Sequence, residues 1–135
     1  MYDIMISIHK EYTDDIFLGI KQIEWRTVPL PPGKYFIYEP KKNGGHAAIV
    51  GSMYITKTYT FFNVDEIPGK IIRDGCVSKE FLRKYSKGKT LYANVIFTPS
   101  RFDIPKPLSD FMSYSKCMPC KYPPQSYYYV NERKI

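Results

Sequence analysis

A series of short apolar runs, interrupted by prolines and glycines, is the feature that most limits how this chain can fold. Runs rich in β-branched and aromatic residues predict β-strands, here at residues 2–8, 21–28, 34–39, 46–62, 89–104 and 125–130. Because a glycine inside a strand often marks a bulge, the long run 46–62 is either one strand bent at Gly51 or two strands. No strand–helix–strand rhythm repeats, which argues against a doubly wound parallel sheet.

Helices are predicted at two places between the strands. Residues 9–19 carry apolar residues at helical spacing and end at Gly19, a typical C-terminal cap. Residues 79–88 follow Ser78, a favourable N-cap, and a third short helix is expected within residues 105–111. With five to seven strands and two or three short helices, we expect a mainly β or α+β fold. The form expected is a small antiparallel β-barrel with the helices at its rim.

The composition is that of one folded domain spanning residues 1–135. Apolar residues make up 44% of the chain and charged residues 24%, which excludes a disordered chain. The net charge of +7 favours a polyanionic partner, and thirteen tyrosines supply rings that stack on nucleic-acid bases. RNA or single-stranded nucleic acid is therefore the partner that we expect.

Membrane association and secretion are not expected. No apolar run approaches the roughly 20 residues that a membrane-spanning helix needs. The N-terminal residues lack the basic and apolar regions of a signal peptide. Three cysteines, an odd number, fit a reducing compartment better than a disulfide framework. We therefore expect a cytoplasmic protein; the sequence predicts no particular oligomeric state.

Three charged residues lie within the short hydrophobic run "GIKQIEWR" that starts at Gly19. Glu24 and Arg26 are two residues apart, so on a strand they share one face, with Cα atoms about 7 Å apart. Trp25 then points to the opposite face, toward a core. Lys21 falls on the wrong face by strict alternation, but it follows the glycine that ends the helix and could turn into a cleft. The alternatives are a solvated strand face or a structural ion pair.

The spacing of these residues resembles the signature of the ASCH family, a branch of the PUA-like superfamily. That signature has a glycine, a lysine two positions on, an acidic or hydroxyl residue three after that, and an arginine two further. Gly19, Lys21, Glu24 and Arg26 occupy these places. The segments "GKYFIYEP" and "AAIVGS" resemble the next part of the family pattern. "KPLSDF" and "PPQSYYYV" resemble closing elements of small bacterial and phage members.

The resemblance implies a small β-barrel with a cleft bounded by the first helix, and RNA as the commonest ligand. Some PUA-like domains read modified bases. Some ASCH proteins are reported as enzymes, among them a ribonuclease and an acetylcytidine hydrolase that uses a lysine, a threonine and a glutamate. Glu24 stands here at the threonine position, which weighs against the acetylcytidine reaction. Glu66 and Glu80 are both candidates for the remote glutamate.

Eight residues are expected to contact a ligand, some from the charged motif and others from the family layout and the last strand. They are Lys21, Glu24, Arg26, Tyr38, Ser52, Gln125, Ser126 and Tyr128. If the protein is an enzyme, Lys21 and Glu24 are the expected catalytic residues. The alternative for the tyrosines is ordinary packing at the edge of the core or across strands.

A metal site is not expected, although "CMPC" at residues 117–120 has the spacing of a zinc knuckle. A structural zinc usually takes two such pairs. Only Cys76, His9 and His46 remain, and they form no second pair. No cofactor motif is present either, so we expect neither a metal nor a cofactor.

Three functions remain open at the level of sequence. The first is a nucleic-acid-binding domain, most suited to RNA, with its ligand cleft at the charged motif. The second is a small hydrolase on the same scaffold, either a ribonuclease or a modified-nucleoside amidohydrolase. The third is a regulator that binds a protein partner through a tyrosine-rich surface. A modified nucleoside is a possible small ligand for the first two.

Overall fold

One continuous sheet of eight strands organises the computed structural model, which describes residues 2–133. In chain order the strands are β1 (Asp3–Ser7), β2 (Ile23–Arg26), β3 (Gly33–Glu39), β4 (Ala48–Phe61), β5 (Leu91–Lys106), β6 (Phe111–Ser113), β7 (Met118–Pro119) and β8 (Tyr127–Glu132). Their spatial order is β2-β5-β4-β3-β1-β8-β6-β7. The mainly β fold expected from the sequence is therefore confirmed.

The topology differs from the expected antiparallel barrel in two ways. First, β1 pairs with β3 in parallel, with Ile4 opposite Tyr35, whereas the other strand pairs are antiparallel. The chain crosses from β1 through a helix and β2 before it returns as β3, and such a crossover produces a parallel pair. Second, β2 and β7 stand at opposite ends of the order and do not pair within residues 2–133. A closed barrel is therefore not confirmed.

In the described part of the chain, three short α-helices accompany the sheet: α1 (Lys10–Phe17), α2 (Gly69–Asp74) and α3 (Lys79–Ser86). Single 3-10 turns occur at Lys42–Gly44, Val64–Glu66 and Leu108–Asp110. Gly19 takes φ +78° just after the end of α1, and the Ser78 hydroxyl accepts a hydrogen bond from Phe81 N at 3.0 Å. These two features confirm the predicted end of α1 at Gly19 and the predicted start of α3 at Ser78. Within residues 2–133 no helix has the length and hydropathy that crossing a membrane requires.

The long run 46–62 forms a single strand that bends at Gly51. The pairing of β4 with its two neighbours shifts register around this residue. A Cβ atom at Gly51 would lie 2.3 Å from Ser100 O and 2.5 Å from the ring of Phe17. Only glycine allows α1 to approach the sheet this closely, so the bulge sets the position of the helix.

Short strands β6 and β7 were not predicted, and they raise the number of strands above the expected range. The segment between residues 111 and 120 forms a small hairpin in which Met112 pairs with Pro119. Strands of two or three residues are too short for a periodic pattern, so only the pairing of β6 with β8 and of β7 with β6 identifies them.

The core consists of three buried clusters, and two of them position the site described below. One lies between α1 and the sheet and includes Ile6, Ile8 and Ile16. Another joins β2 to the segment that carries α2 and α3, with Trp25 packed near Leu82. Trp25 is only 5% exposed, which confirms its predicted burial. The first cluster holds α1 against the sheet, and the second holds α3 against β2.

Candidate functional site

A cleft with a volume of about 250 Å³ opens where the end of β1, the start of α1, β2 and α3 meet. Its charged lining consists of Lys21, Glu24 and Arg26. Four aromatic residues also line it: Tyr12, Trp25, Phe81 and Tyr85. The remaining lining residues are Ser7, Ile8, His9, Pro40, Val77 and Gln125. The cleft therefore combines charges on its β2 side with aromatic rings from α1 and α3.

Glu24 and Arg26 form an ion pair on the cleft face of β2. Arg26 Nε donates to Glu24 Oε2 at 2.9 Å, and Arg26 Nη2 lies 2.8 Å from the same oxygen. Arg26 Nη2 also donates to Ser7 O at 2.9 Å, which ties the pair to the end of β1. Glu24 is 7% exposed, so the pair is largely removed from water. Such a pair holds the carboxylate in one orientation.

Lys21 turns into the same cleft from the segment that joins α1 to β2. Its Nζ donates to Gly75 O at 2.6 Å and lies 4.0 Å from Glu24 Oε1. The same Nζ lies 5.2 Å from the centre of the Tyr12 ring. Lys21 is 3% exposed although strand alternation placed it on the other face. The turn makes this possible, because the backbone N–H of Lys21 still bonds to Asp15 O of α1.

Burial perturbs the acid–base chemistry of this lysine. Desolvation lowers the pKa of Lys21 below its ordinary value, and the nearby positive charge of Arg26 lowers it further. The negative charge of Glu24 opposes both effects without cancelling them. A lysine with a lowered pKa loses its proton more readily, and can then act as a base or a nucleophile.

Asn94 of β5 supports the strand that carries the ion pair. It is fully buried, and its Nδ2 donates to Glu24 O at 3.0 Å. Its Oδ1 accepts from Leu30 N at 3.2 Å and from the Thr58 hydroxyl at 2.8 Å. The side-chain amide therefore connects β2 to β4 and to the segment after β2. This role was not foreseen, because nothing local marks one asparagine within a strand as a buried connector.

Two aromatic side chains of α3 form one wall of the cleft. Phe81 and Tyr85 are four residues apart, so they lie on the same side of the helix. Their rings are parallel to within 9°, with centres 6.0 Å apart. The Tyr85 hydroxyl donates to Trp25 O at 3.4 Å, which fixes the helix against β2. This wall was not predicted, although the helical spacing of the two aromatic residues was a visible signal in the sequence.

Solved structures of similar shape identify the fold. The crystal structure of ASCH from Zymomonas mobilis matches with a TM-score of 0.76 and 21% sequence identity, over 96% of this chain and 87% of that one. Two single-residue variants of that protein match with TM-scores of 0.76 and 0.75 at 20% identity, over 96% of this chain and 88% or 90% of theirs. The chain has the ASCH fold. No family model and no curated protein sequence matches it.

Within the ASCH fold, the cleft brings together four of the eight expected ligand contacts: Lys21, Glu24, Arg26 and Gln125. Ser126 and Tyr128, on and beside β8, do not line it. The Tyr128 hydroxyl instead donates to Tyr122 O at 2.7 Å. Gln125 therefore reaches the cleft from the loop before β8, whereas the strand itself does not.

Tyr38 and Ser52 also lie outside the cleft. Tyr38 is 8% exposed and packs in a core cluster with Phe36 and Phe111 on the other side of the sheet from α1. Residues two apart on a strand share a face, so Tyr38 has to follow Phe36. Ser52 is buried on β4 opposite Phe36. The structure thus does not place these two expected contacts where a ligand in the cleft could reach them.

Neither candidate for a remote glutamate belongs to the cleft. Glu66 and Glu80 are both exposed, and neither lines the cavity. Within residues 2–133 no three side chains of His, Cys, Asp or Glu come together as metal ligands. The polar chemistry of the cleft therefore rests on the residues of the charged motif together with Gln125, His9 and Ser7.

Proposed function

We propose that this ASCH-fold domain binds nucleic acid, preferentially RNA, and takes one unpaired base or nucleoside into the cleft. The observation that carries the proposal is the nearly dry cluster of Lys21, Glu24 and Arg26 beneath an aromatic wall. Burying charged groups costs free energy unless they are paired with one another or bind a ligand. Two cations surround one carboxylate here, so the cluster keeps one positive charge in excess for an anionic ligand.

Each member of the cluster has bonding capacity left for a ligand. Glu24 Oε2 is engaged by Arg26, whereas Oε1 lies 4.0 Å from Lys21 Nζ, beyond hydrogen-bond distance. Oε1 is therefore available to accept from an exocyclic amine or a 2′-hydroxyl. The ammonium of Lys21 has three donors and uses one on Gly75 O, which leaves donors for a phosphate or carbonyl oxygen.

The size of the cleft limits what it can hold. Its volume of about 250 Å³ lies just below the usual range for small-molecule pockets, about 300–1,000 Å³. A single nucleoside is of that scale, whereas a duplex is far too wide. The base must then be unpaired, and single-stranded RNA is the form in which sequence-specific proteins usually meet one. The rings of Tyr12 and Tyr85 are placed to stack on it.

Fluorescence anisotropy with a labelled single-stranded oligoribonucleotide tests this proposal. Lys21→Met keeps the volume of the buried side chain and removes its charge, and Lys116→Met makes the same change at an exposed position far along the chain. We expect Lys21→Met to weaken binding about tenfold and Lys116→Met to stay within about twofold of the parent. Melting curves of each variant establish that it is folded.

Salt dependence supplies the second readout. Binding that neutralises phosphates releases counterions, so affinity should fall steeply between about 50 and about 200 mM salt. Affinity that stays flat over this range would instead indicate a neutral small ligand or a protein partner, and the proposal would be wrong. Equal binding by the parent and Lys21→Met would contradict the location of the site.

A hydrolase is the second candidate function, and the lowered pKa of Lys21 is the observation that favours it. An unprotonated Lys21 could take a proton from water that attacks a phosphodiester or an N-acyl group. The P–O or C–N bond then breaks, and the ammonium, held by Glu24 4.0 Å away, returns the proton to the leaving oxygen or nitrogen. Incubation of the parent and Lys21→Met with RNA and with N-acylated nucleosides tests this. Product formation by the parent alone supports turnover, and none by either leaves a binding domain.

A further inference from the structure

Positive charge is concentrated in one short segment outside the charged motif. Residues 79–89, comprising α3 and the turn that follows it, contain five basic side chains and one acidic one, Glu80. The basic residues are Lys79, Arg83, Lys84, Lys87 and Lys89. Five minus one gives a net charge of +4 in eleven residues, out of +7 for the chain. More than half of the net charge therefore lies on and just after one two-turn helix.

Most of this charge is not balanced within the protein. Arg83 pairs with Asp65. Lys84, Lys87 and Lys89 are exposed, and no carboxylate among residues 2–133 lies within ion-pair distance of them. Cations near a helix C-terminus gain a little from its dipole, but like charges this dense repel one another. A polyanion bound along the segment would relieve that repulsion.

The same helix exposes two parallel aromatic rings. Phe81 is 43% exposed and Tyr85 38%, which is high for side chains of this size. Helical spacing places Lys84 beside Phe81, which lies three residues before it on the same side of the helix. Exposed aromatic rings alternating with lysines are how proteins hold single-stranded nucleic acid, since bases stack on the rings while the cations neutralise phosphates.

A second depression lies at the far end of α3. Phe81 and Tyr85 line the cleft, and Arg83 lines the depression together with Lys89 and Phe62. Phe62 is 75% exposed, which is unusual for a phenylalanine. The cleft and this depression therefore both border α3, and Arg83 and Lys89 add positive charge at the second.

We propose that α3 and the turn after it bind single-stranded nucleic acid that continues out of the cleft. This inference rests on the proposed function, because the cleft holds the first base. At 1.5 Å per residue the eight residues of α3 span about 12 Å. A stacked strand rises about 3.4 Å per nucleotide, so the helix covers about three nucleotides. The complete site is then about four nucleotides long.

Binding to oligouridylates of increasing length, from the mononucleotide to about eight nucleotides, tests the proposal. For the parent we expect affinity to rise up to about four nucleotides and then level off. The double variant Lys84→Ser/Lys87→Ser should bind the mononucleotide within about twofold of the parent. It should bind the tetranucleotide about tenfold more weakly, and its slope of log affinity against log salt should fall by about 1.4.

A double variant of matched charge serves as the control. Lys57→Ser/Lys116→Ser also removes two exposed lysines, but neither position lies on α3 or lines the cleft. It should bind every length as the parent does. Melting temperatures of both double variants show whether the loss of charge at the end of α3 has affected folding rather than binding.

The results separate this inference from the proposed function. If Lys21→Met weakens binding while the α3 double variant binds the tetranucleotide like the parent, the cleft stands and the α3 site is wrong. Affinity that does not rise beyond one nucleotide also overturns it. If the α3 double variant also loses binding to a duplex, or to vesicles of anionic lipid, by the same factor as to the tetranucleotide, α3 is a general electrostatic surface. That result would overturn the α3 proposal too. If the parent binds no oligonucleotide, both proposals fail.

Discussion

Replacing Glu24 by glutamine leaves two cations facing each other in the floor of the cleft. The side-chain volume is nearly unchanged, so the substitution removes charge and little packing. Lys21 Nζ lies 4.0 Å from the carboxylate and Arg26 Nη2 lies 2.8 Å from it. Because Lys21 and Glu24 are both less than a tenth exposed, water cannot fully replace the lost attraction.

The expected loss of stability follows from the distance between the charges of Lys21 and Glu24. At 4.0 Å and an effective dielectric constant of about 20, two unit charges interact by about 4 kcal/mol. Glutamine is less costly to bury than a carboxylate, which returns part of that energy. Removing one partner of a buried ion pair typically costs about 3–5 kcal/mol. We expect Glu24→Gln to lower the free energy of unfolding by about 3 kcal/mol, or the melting temperature by about 10 °C.

Thermal and urea unfolding followed by circular dichroism measure this effect. Glu66→Gln is the control, since Glu66 is exposed and its loss should change stability by less than about 0.5 kcal/mol. A double-mutant cycle with Lys21→Met isolates the pair: the double variant should lose less stability than the sum of the single variants. If Glu24→Gln melts within a degree or so of the parent, or if the cycle shows no coupling, the buried-cluster argument is refuted.

Two further predictions concern the same cleft. Raising the pH from about 7 to about 10 should stabilise the parent relative to Lys21→Met, as compared by their melting temperatures. Burial lowers the folded-state pKa of Lys21 below the unfolded value near 10.5, so the cost of burying its charge falls as the pH rises from the folded pKa toward the unfolded one. A difference in melting temperature between the parent and Lys21→Met that stays constant over this pH range would contradict the prediction. Gly75→Ala should destabilise by about 1–3 kcal/mol in urea unfolding, because its Cβ would lie 2.0 Å from Trp25 Nε1. Gly69→Ala is the control and should not destabilise the protein in this way, because a Cβ atom there meets open space. Equal stability of the Gly75→Ala and Gly69→Ala variants would contradict the packing argument.

Local sequence determined most of the secondary structure of this protein. Both predicted helix ends, at Gly19 and Ser78, depend on contacts within a few residues and were confirmed. The burial of Trp25 followed from strand alternation. These features can be predicted from sequence because side-chain periodicity and helix capping depend on residues only a few positions apart. The charged motif could be located for the same reason, by its spacing on and before one strand.

Only the tertiary structure decided which residues meet in the cleft. Lys21 is held by Gly75 O, 54 residues away, and Trp25 O is met by Tyr85, 60 residues away. Such pairs depend on how the segment that carries α2 and α3 packs on β2, which no local pattern encodes. Tyr38 was expected in the cleft and lies outside it. The chain lines the cleft at Pro40, just after the strand that carries Tyr38, but the pleat of the strand turns the Tyr38 ring into the core. A strand's period assigns each side chain to one of two faces, and only long-range packing determines which face lines the ligand site.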